Sequence, residues 1–271
     1  MMNRRFGLLG HPVEHSMSAV MHNAVFKKLN LPYSYELFDV LEEDLGSFMA
    51  KTSDFYGMNV TIPYKVKVIS FLDGLSKEAK LISAVNTIKI DGRKIGYNTD
   101  GIGCVRALEE NNVKVKGSRV LVLGAGGASR AIVFRLALEG AKVSIFNRTR
   151  SKALELAGEV KRKTKNGVDV ASDLDLTNVD VLINATSVGM HPKVDETPVE
   201  KSLLCPNLVV MDLVYNPVKT RLLSESEKAG CKTIDGVGML VNQGAESLRV
   251  WLDIKPPIDV MRDAVVKELS T

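Results

Sequence analysis

The chain is poor in cysteine and holds no C-x-x-C pair: Cys104, Cys205 and Cys231 are odd in number and far apart. That spacing argues against a disulfide framework and a zinc ribbon, and points to a reducing compartment. No run of about 18 apolar residues occurs, so no membrane-spanning helix is expected. The apolar run after Arg4 and Arg5 covers only residues 6–9, too short for a signal peptide, and a cytoplasmic location is expected. A clustered basic stretch is missing too. Lys plus Arg number 36 against 32 Asp plus Glu, for a net charge of +4, and the densest group, residues 161–165, reads as a solvated loop. Nucleic acid is therefore not an expected partner, and a small anion is. Internal repeats and low-complexity segments are absent as well.

What is present is an ordinary globular composition, 45% apolar and 25% charged over 271 residues, long enough for two domains. Short apolar runs alternate with helical patterns, which predicts an α/β fold built from βαβ units on mostly parallel sheets. Residues 6–9, 35–40 and 57–62 read as strands, and residues 86–90 and 94–97 flank Asp91-Gly92 as a hairpin. Met21, Ala24, Val25 and Leu29 share one face of a helix that Ser16 or Ser18 could cap. Pro63 suits the first turn of a further helix, with Lys65 near its N-terminus. After Asp100 and Gly101 a helix to about Glu110 bridges two domains. There residues 119–123 form a buried strand, 124–127 a tight turn, and Ile132, Val133, Leu136 and Ala137 an inner helix face. Residues 142–146, 179–183 and 208–211 supply further strands, and the last 35 residues read as helical. The expected division is 1–100, completed by 236–271, and 101–235.

The turn Gly124-Ala125-Gly126-Gly127-Ala128-Ser129 follows a strand and opens a helix. In that setting backbone N–H groups can approach a pyrophosphate. Against G-x-G-x-x-G, the third glycine is Ser129. The next strand ends Phe146-Asn147-Arg148-Thr149-Arg150, with Lys152 beyond. No carboxylate stands where an NAD site needs one for the ribose hydroxyl; guanidinium, amide and hydroxyl groups suit a 2′-phosphate instead. In the first half Asn59 and Thr61 alternate along one strand face, and Lys65 and Asp100 could reach the same cleft. A lysine and a carboxylate in hydrogen-bond range make a proton-transfer pair. A helix N-terminus would favour the neutral amine and a nearby carboxylate the charged one, and both readings stay open. His11-Pro-Val-Glu-His15 matches the inverted zinc-protease pattern, but Gly10 and Pro12 argue for a turn where that site needs a helix, and no metal is expected.

Nine segments in order then resemble the shikimate dehydrogenase family: GLLGHPVEHSMSAVMHNAVF from Gly7, GMNVTIPYK from Gly57, AVNTI from Ala84, GYNTDGIG from Gly96, VLGAGGASRA from Val122, FNRTR from Phe146, NATSVGM from Asn184, DLVYNP from Asp212 and DGVGMLVNQGA from Asp235. The resemblance covers essentially the whole chain. It implies an N-terminal substrate domain, a C-terminal Rossmann domain, and NADPH-dependent reduction of 3-dehydroshikimate to shikimate. It implies Lys65 and Asp100 as the catalytic pair and Ser16, Ser18, Thr61, Asn86, Tyr215 and Gln243 at the substrate. Asn59 fits the same list as an amide partner for ring hydroxyls. Gly124, Ala125, Gly126, Gly127 and Ala128 would hold the pyrophosphate of NADP(H), and Asn147, Arg148, Thr149 and Lys152 the 2′-phosphate. Gly236 and Met239 would line the nicotinamide. Ala19 departs from the family, which usually has proline there. A quinate/shikimate dehydrogenase using NAD and a non-catalytic sensor are the alternatives. Monomer and homodimer are both open.

Overall fold

The computed structural model describes residues 4–270. Two compact units divide them, one comprising residues up to 99 together with those from 243 onward, the other residues 100–242. The first unit runs β1 (Arg4–Gly10), α1 (Ser18–Lys28), β2 (Tyr33–Asp39), α2 (Leu45–Ala50), β3 (Phe55–Val60), β4 (Gly74–Leu75), α3 (Lys77–Ile82), β5 (Thr87–Ile90) and β6 (Lys94–Tyr97). The second runs α4 (Asp100–Glu110), β7 (Arg119–Leu123), α5 (Gly127–Leu138), β8 (Lys142–Phe146), α6 (Arg150–Thr164), β9 (Val168–Val170), β10 (Val181–Asn184), β11 (Val209–Asp212), α7 (Arg221–Lys228) and β12 (Lys232–Ile234). Helix α8 (Gly236–Leu252) starts in the second unit and ends in the first, where α9 (Ile258–Leu269) follows.

The first sheet has the order β2-β1-β3-β5-β6-β4. It is mixed, because β5 pairs antiparallel with both β3 and β6; the short Asp91-Gly92 connection can only join antiparallel neighbours. Strand alternation then sorts the faces. Met58 and Val60 join Leu9, Val40, Leu45, Met49, Tyr64, Val68 and Ala79 in one core. Gly57 and Asn59 point the other way, toward α8. A Cβ on Gly57 would lie 2.3 Å from Trp251 Nε1, so only glycine allows this approach. The indole packs on Phe6 at 5.0 Å and donates to Ile88 O at 2.9 Å. Helix α9 packs on α1 and buries Met261 and Val265.

The second sheet is parallel throughout, in the order β12-β11-β10-β7-β8-β9. This is the doubly wound arrangement, with the order reversing beside β7. Ile132, Val133 and Leu136 of α5 are fully buried and Ala137 nearly so, as the helical period predicts.

Three local readings change. No α-helix follows Pro63: a turn over residues 62–66 leads into a five-residue 3-10 helix, Lys67–Phe71, so Lys65 does not stand at an α-helix N-terminus. The N-cap of α1 is Met17, and the Ser16 hydroxyl accepts from Ser18 N at 3.3 Å instead of capping in the expected way. Residues 236–242 cluster with the second unit, where Asn242 Nδ2 donates to Glu110 Oε1 at 2.9 Å; nothing in the helical pattern of α8 marks that change of unit.

Candidate active site

One edge of the first sheet collects most of the expected substrate residues, for a topological reason. Parallel β1 and β3 end there, β5 starts there, and β6 returns there. The loop after β1 brings Ser16 and Ser18, whose hydroxyls lie 3.2 Å apart at the start of α1. Ser18 is 5% exposed and Ser16 half-buried. Thr61 follows β3 and donates its backbone N–H to Leu9 O at 2.9 Å, tying it to the β1 end. Lys65 lies in the next turn, held on both sides. The buried Tyr64 ring donates its hydroxyl to Val40 O at 2.6 Å, and Lys65 O accepts from Val85 N at 2.7 Å. Lys65 itself is half-buried.

Asn86 precedes β5 and is 2% exposed. Its Oδ1 accepts from Thr99 N at 2.8 Å and from Thr87 Oγ1 at 3.0 Å. Its Nδ2 donates to Thr99 Oγ1 at 2.9 Å and to Gln243 Oε1 at 3.3 Å. Gln243, Ser247 and Trp251 recur every fourth residue and so form one stripe of α8. The stripe lies along the sheet: Trp251 covers Gly57, Ser247 bonds Asn59, and Gln243 bonds Asn86.

Asn59 was expected at the ligand, and its position differs. It is 4% exposed; Oδ1 accepts from Tyr35 OH at 2.8 Å, and Nδ2 meets Asn86 O at 3.1 Å, Thr87 Oγ1 at 3.1 Å and Ser247 Oγ at 2.9 Å. The amide is committed to the protein and stands behind Asn86. Strand alternation predicted its face correctly, but α8, far away in sequence, covers it. Burial raises the Tyr35 hydroxyl pKa well above its usual value, against a smaller pull from a Ser18 hydrogen bond. His22 stacks on Tyr35 at 4.5 Å, fully buried, with no partner for either ring nitrogen. Burial pushes its pKa down to about 3, and the neighbouring Asn59 pulls weakly the other way.

The segment that matches the inverted zinc-protease pattern forms no helix, as its Gly10 and Pro12 led one to expect. Residues 11–17 are turn and bend, with His11 Nδ1 on an Asp39 carboxylate oxygen and His15 Nε2 3.3 Å from Glu14 Oε1.

In the second unit Asp100 opens α4 and is 3% exposed. The glycine-rich turn joins β7 to α5. Gly124 has φ +107°, and a Cβ there would lie 2.9 Å from Ser129 Oγ and 3.1 Å from Ala185 O. Nothing lies within 4 Å of a Cβ built on exposed Gly126, the residue before α5. The backbone there is open for an anion, and no side chain caps the helix. Ser129, the departure from the third glycine, is fully buried and donates to Ala185 O at 3.3 Å, using the space between α5 and the end of β10. After β8, Asn147 Nδ2 donates to Thr149 O at 2.8 Å. Arg148, Thr149, Arg150 and Lys152 follow, all exposed, and no ion pair involves the three cations among the described residues. This fits a 2′-phosphate better than a ribose hydroxyl.

A group that the motifs contained but did not single out joins the ends of β10 and β11. Asp212, fully buried, accepts from Asn184 Nδ2 at 2.9 Å, Thr220 Oγ1 at 2.7 Å and Val214 N at 3.0 Å. Burial raises its pKa despite those donors. It braces the segment carrying half-buried Tyr215. Gly236 and Met239 lie in the first turn of α8, both buried. No helix of the described residues is long and apolar enough to cross a membrane.

Residues 8–88 match the family described as the shikimate dehydrogenase substrate binding domain, residues 107–237 the shikimate / quinate 5-dehydrogenase family, and residues 236–266 the shikimate 5'-dehydrogenase C-terminal domain. The shikimate dehydrogenase (NADP(+)) of Methanocaldococcus jannaschii is 48% identical over 273 residues, covering 97% of this chain and 96% of its own. A solved shikimate dehydrogenase in complex with NADP+ has a TM-score of 0.96 at 46% identity, covering 99% of this chain and 96% of that one. The Thermus thermophilus enzyme in complex with NADP(H) and shikimate has a TM-score of 0.90 at 37% identity, covering 97% and 99%. With near-complete coverage on both sides and an arrangement of strands, glycine-rich turn and polar sheet edge that suits it, the chain belongs to the shikimate dehydrogenase family.

Proposed function

We propose that the chain catalyses the reversible NADPH-dependent reduction of 3-dehydroshikimate to shikimate, the step its family performs on the way to chorismate and the aromatic amino acids. The observation that carries this reading is the gathering of Ser16, Ser18, Thr61, Lys65, Asn86 and Gln243 on one edge of the first sheet. A small ring with a carboxylate and several hydroxyls needs that mixture of hydroxyl, amide and ammonium groups.

The Ser16 and Ser18 hydroxyls take the carboxylate, assisted by the N-terminal amides of α1. Asn86, Gln243, Thr61 and Tyr215 hold the ring oxygens. The open turn from Gly124 to Ala128 suits the cofactor pyrophosphate, Asn147, Arg148, Thr149 and Lys152 the 2′-phosphate, and Gly236 and Met239 the nicotinamide side. NADPH, when bound, supplies the hydride that adds to the keto carbon. Lys65 gives a proton to the oxygen that then bears the negative charge, and Asp100 accepts hydrogen bonds from the neighbouring hydroxyl and orients the lysine.

Steady-state oxidation of NADPH with 3-dehydroshikimate tests this, with quinate and NAD+ as the competing pair. Lys65→Ala and Asp100→Asn should each lower kcat by about 10² to 10⁴ while the fold persists. Equal turnover of quinate with NAD+ would move the chain to the quinate reading, and binding of both ligands without turnover would make it a sensor.

A further inference from the structure

Behind Asn86 stand two hydroxyls that packing does not require. Thr87 and Ser247 are both fully buried, and their oxygens lie 2.8 Å apart. Valine and alanine would fill the same space without a polar group to desolvate. The hydroxyls must be satisfied inside the core, and their partners define a direction. Thr99 N is an obligate donor 2.8 Å from Asn86 Oδ1, which fixes that atom as the oxygen, and Nδ2 then gives its N–H groups to Thr99 Oγ1 at 2.9 Å and Gln243 Oε1 at 3.3 Å. Thr87 Oγ1 donates to the same oxygen at 3.0 Å, and Thr99 Oγ1 lies 3.2 Å from it. Ser247 Oγ lies beside Thr87 Oγ1 and donates to Gln243 O at 3.1 Å, and Asn59 Nδ2 donates to both hydroxyl oxygens, at 3.1 and 2.9 Å.

We propose that Thr87 and Ser247 are positioning residues that lock the Asn86 amide with its N–H toward the substrate, so that this subsite accepts only a hydrogen-bond acceptor. The idea rests on the proposed function for the identity of the ligand. It goes beyond it in assigning a role to two side chains behind the ligand-facing surface. With Oδ1 saturated, Asn86 Nδ2 points to Gln243 Oε1 at 3.3 Å. That long bond can be exchanged for one to a ring oxygen. Gln243 is itself turned by accepting from Asn86, and Ser247 Oγ lies 3.1 Å from Gln243 O one helical turn away. Removing the Thr87 hydroxyl takes away a side-chain donor to Asn86 Oδ1, and removing that of Ser247 takes away a partner of Thr87 Oγ1, so the amide is held less firmly against turning its oxygen toward the ligand, where it would face an oxygen with like partial charge.

Thr87→Val removes the hydroxyl and keeps the shape, whereas Thr87→Ser keeps the hydroxyl. Two measurements on the full chain separate the outcomes. In steady-state kinetics Thr87→Val and Ser247→Ala should raise the shikimate KM by about 5- to 50-fold, with the NADP+ KM unchanged and Thr87→Ser restoring a KM within about twofold of the parent. In the nitrogen-15 spectrum of the substrate-free protein, the Asn86 side-chain NH2 pair should shift or broaden in Thr87→Val and stay in place in Thr87→Ser. A Thr87→Val protein with the parental shikimate KM and an unmoved Asn86 resonance overturns the proposal. So does a Thr87→Ser protein as impaired as Thr87→Val, because packing alone would then explain both. If the parent protein turned over neither shikimate nor 3-dehydroshikimate, the proposed function would fall, and the Asn86 resonance would still decide the positioning role.

Discussion

His22 shows how a single buried side chain couples this fold to pH. Its imidazole is neutral in the folded protein, with burial holding its pKa near 3, whereas in the unfolded chain it titrates near 6.5. Between those values the unfolded chain binds a proton that the folded one refuses. The stability contribution is therefore intact above about pH 6.5 and falls by about 1.4 kcal/mol for each unit below it. Denaturant unfolding at pH 7.5 and pH 5 should show His22→Leu losing about 2 kcal/mol less than the parent across that interval; identical pH slopes would refute this. At the same scale, Arg148→Ala should raise the NADPH KM by about 10- to 100-fold and leave the NADH KM nearly untouched, since one charge-assisted contact to a phosphate is removed. Paired kinetics with the two cofactors check it.

At the scale of elements, β3 and α8 meet at Gly57 and Trp251. Gly57→Ala would place a methyl group 2.3 Å from the indole nitrogen and disturb its bond to Ile88 O. A cost of about 2 to 4 kcal/mol is expected from overpacking and a weakened buried hydrogen bond. Trp251 is the sole tryptophan, so a shifted emission maximum together with a lowered unfolding midpoint would report that α8 has moved. This contact also shows what could be read in advance. The period of α5 and the glycine-rich turn were legible because each is a local pattern whose physics lies within about a dozen residues. The face of Asn59 on its strand was equally legible. That Asn59 would be covered by Ser247, and Gly57 by Trp251, was not, since the partners are almost two hundred positions apart and no spacing rule joins them. After Pro63 a turn and a 3-10 helix carry Tyr64 and Val68 into the core of the sheet, an i, i+4 pair that an α-helix would bury equally well, so their burial does not account for the missing helix. Asn184 and Asp212 lay within recognised segments, and their position at two adjacent strand ends was the signal that could have singled them out.

At the scale of the whole molecule, the first unit is assembled from both ends of the sequence, and the second is continuous. Leu248 and Met261 are fully buried in the first, and Met21 closes on Gly244 so tightly that a Cβ there would lie 2.3 Å from its methyl carbon. A fragment of residues 100–242 should accordingly fold alone, whereas residues 1–99 should gain cooperative unfolding only when a peptide of residues 243–271 is added. Circular dichroism melts of the three preparations test this. The discontinuity also sets an order of events during synthesis. Ribosomes release a chain from its N-terminus at roughly 5 to 20 residues per second, and domains fold as they emerge. The sheet bearing Lys65 and Asn86 leaves the tunnel early but must wait, with the face destined for α8 and α9 exposed to water, while all of residues 100–242 are made. Gln243, Ser247 and Trp251 then arrive together. A nascent chain stalled just before them already holds the whole second unit while the sheet of the first is still uncovered, and the exposed apolar face is an invitation to chaperones throughout that interval.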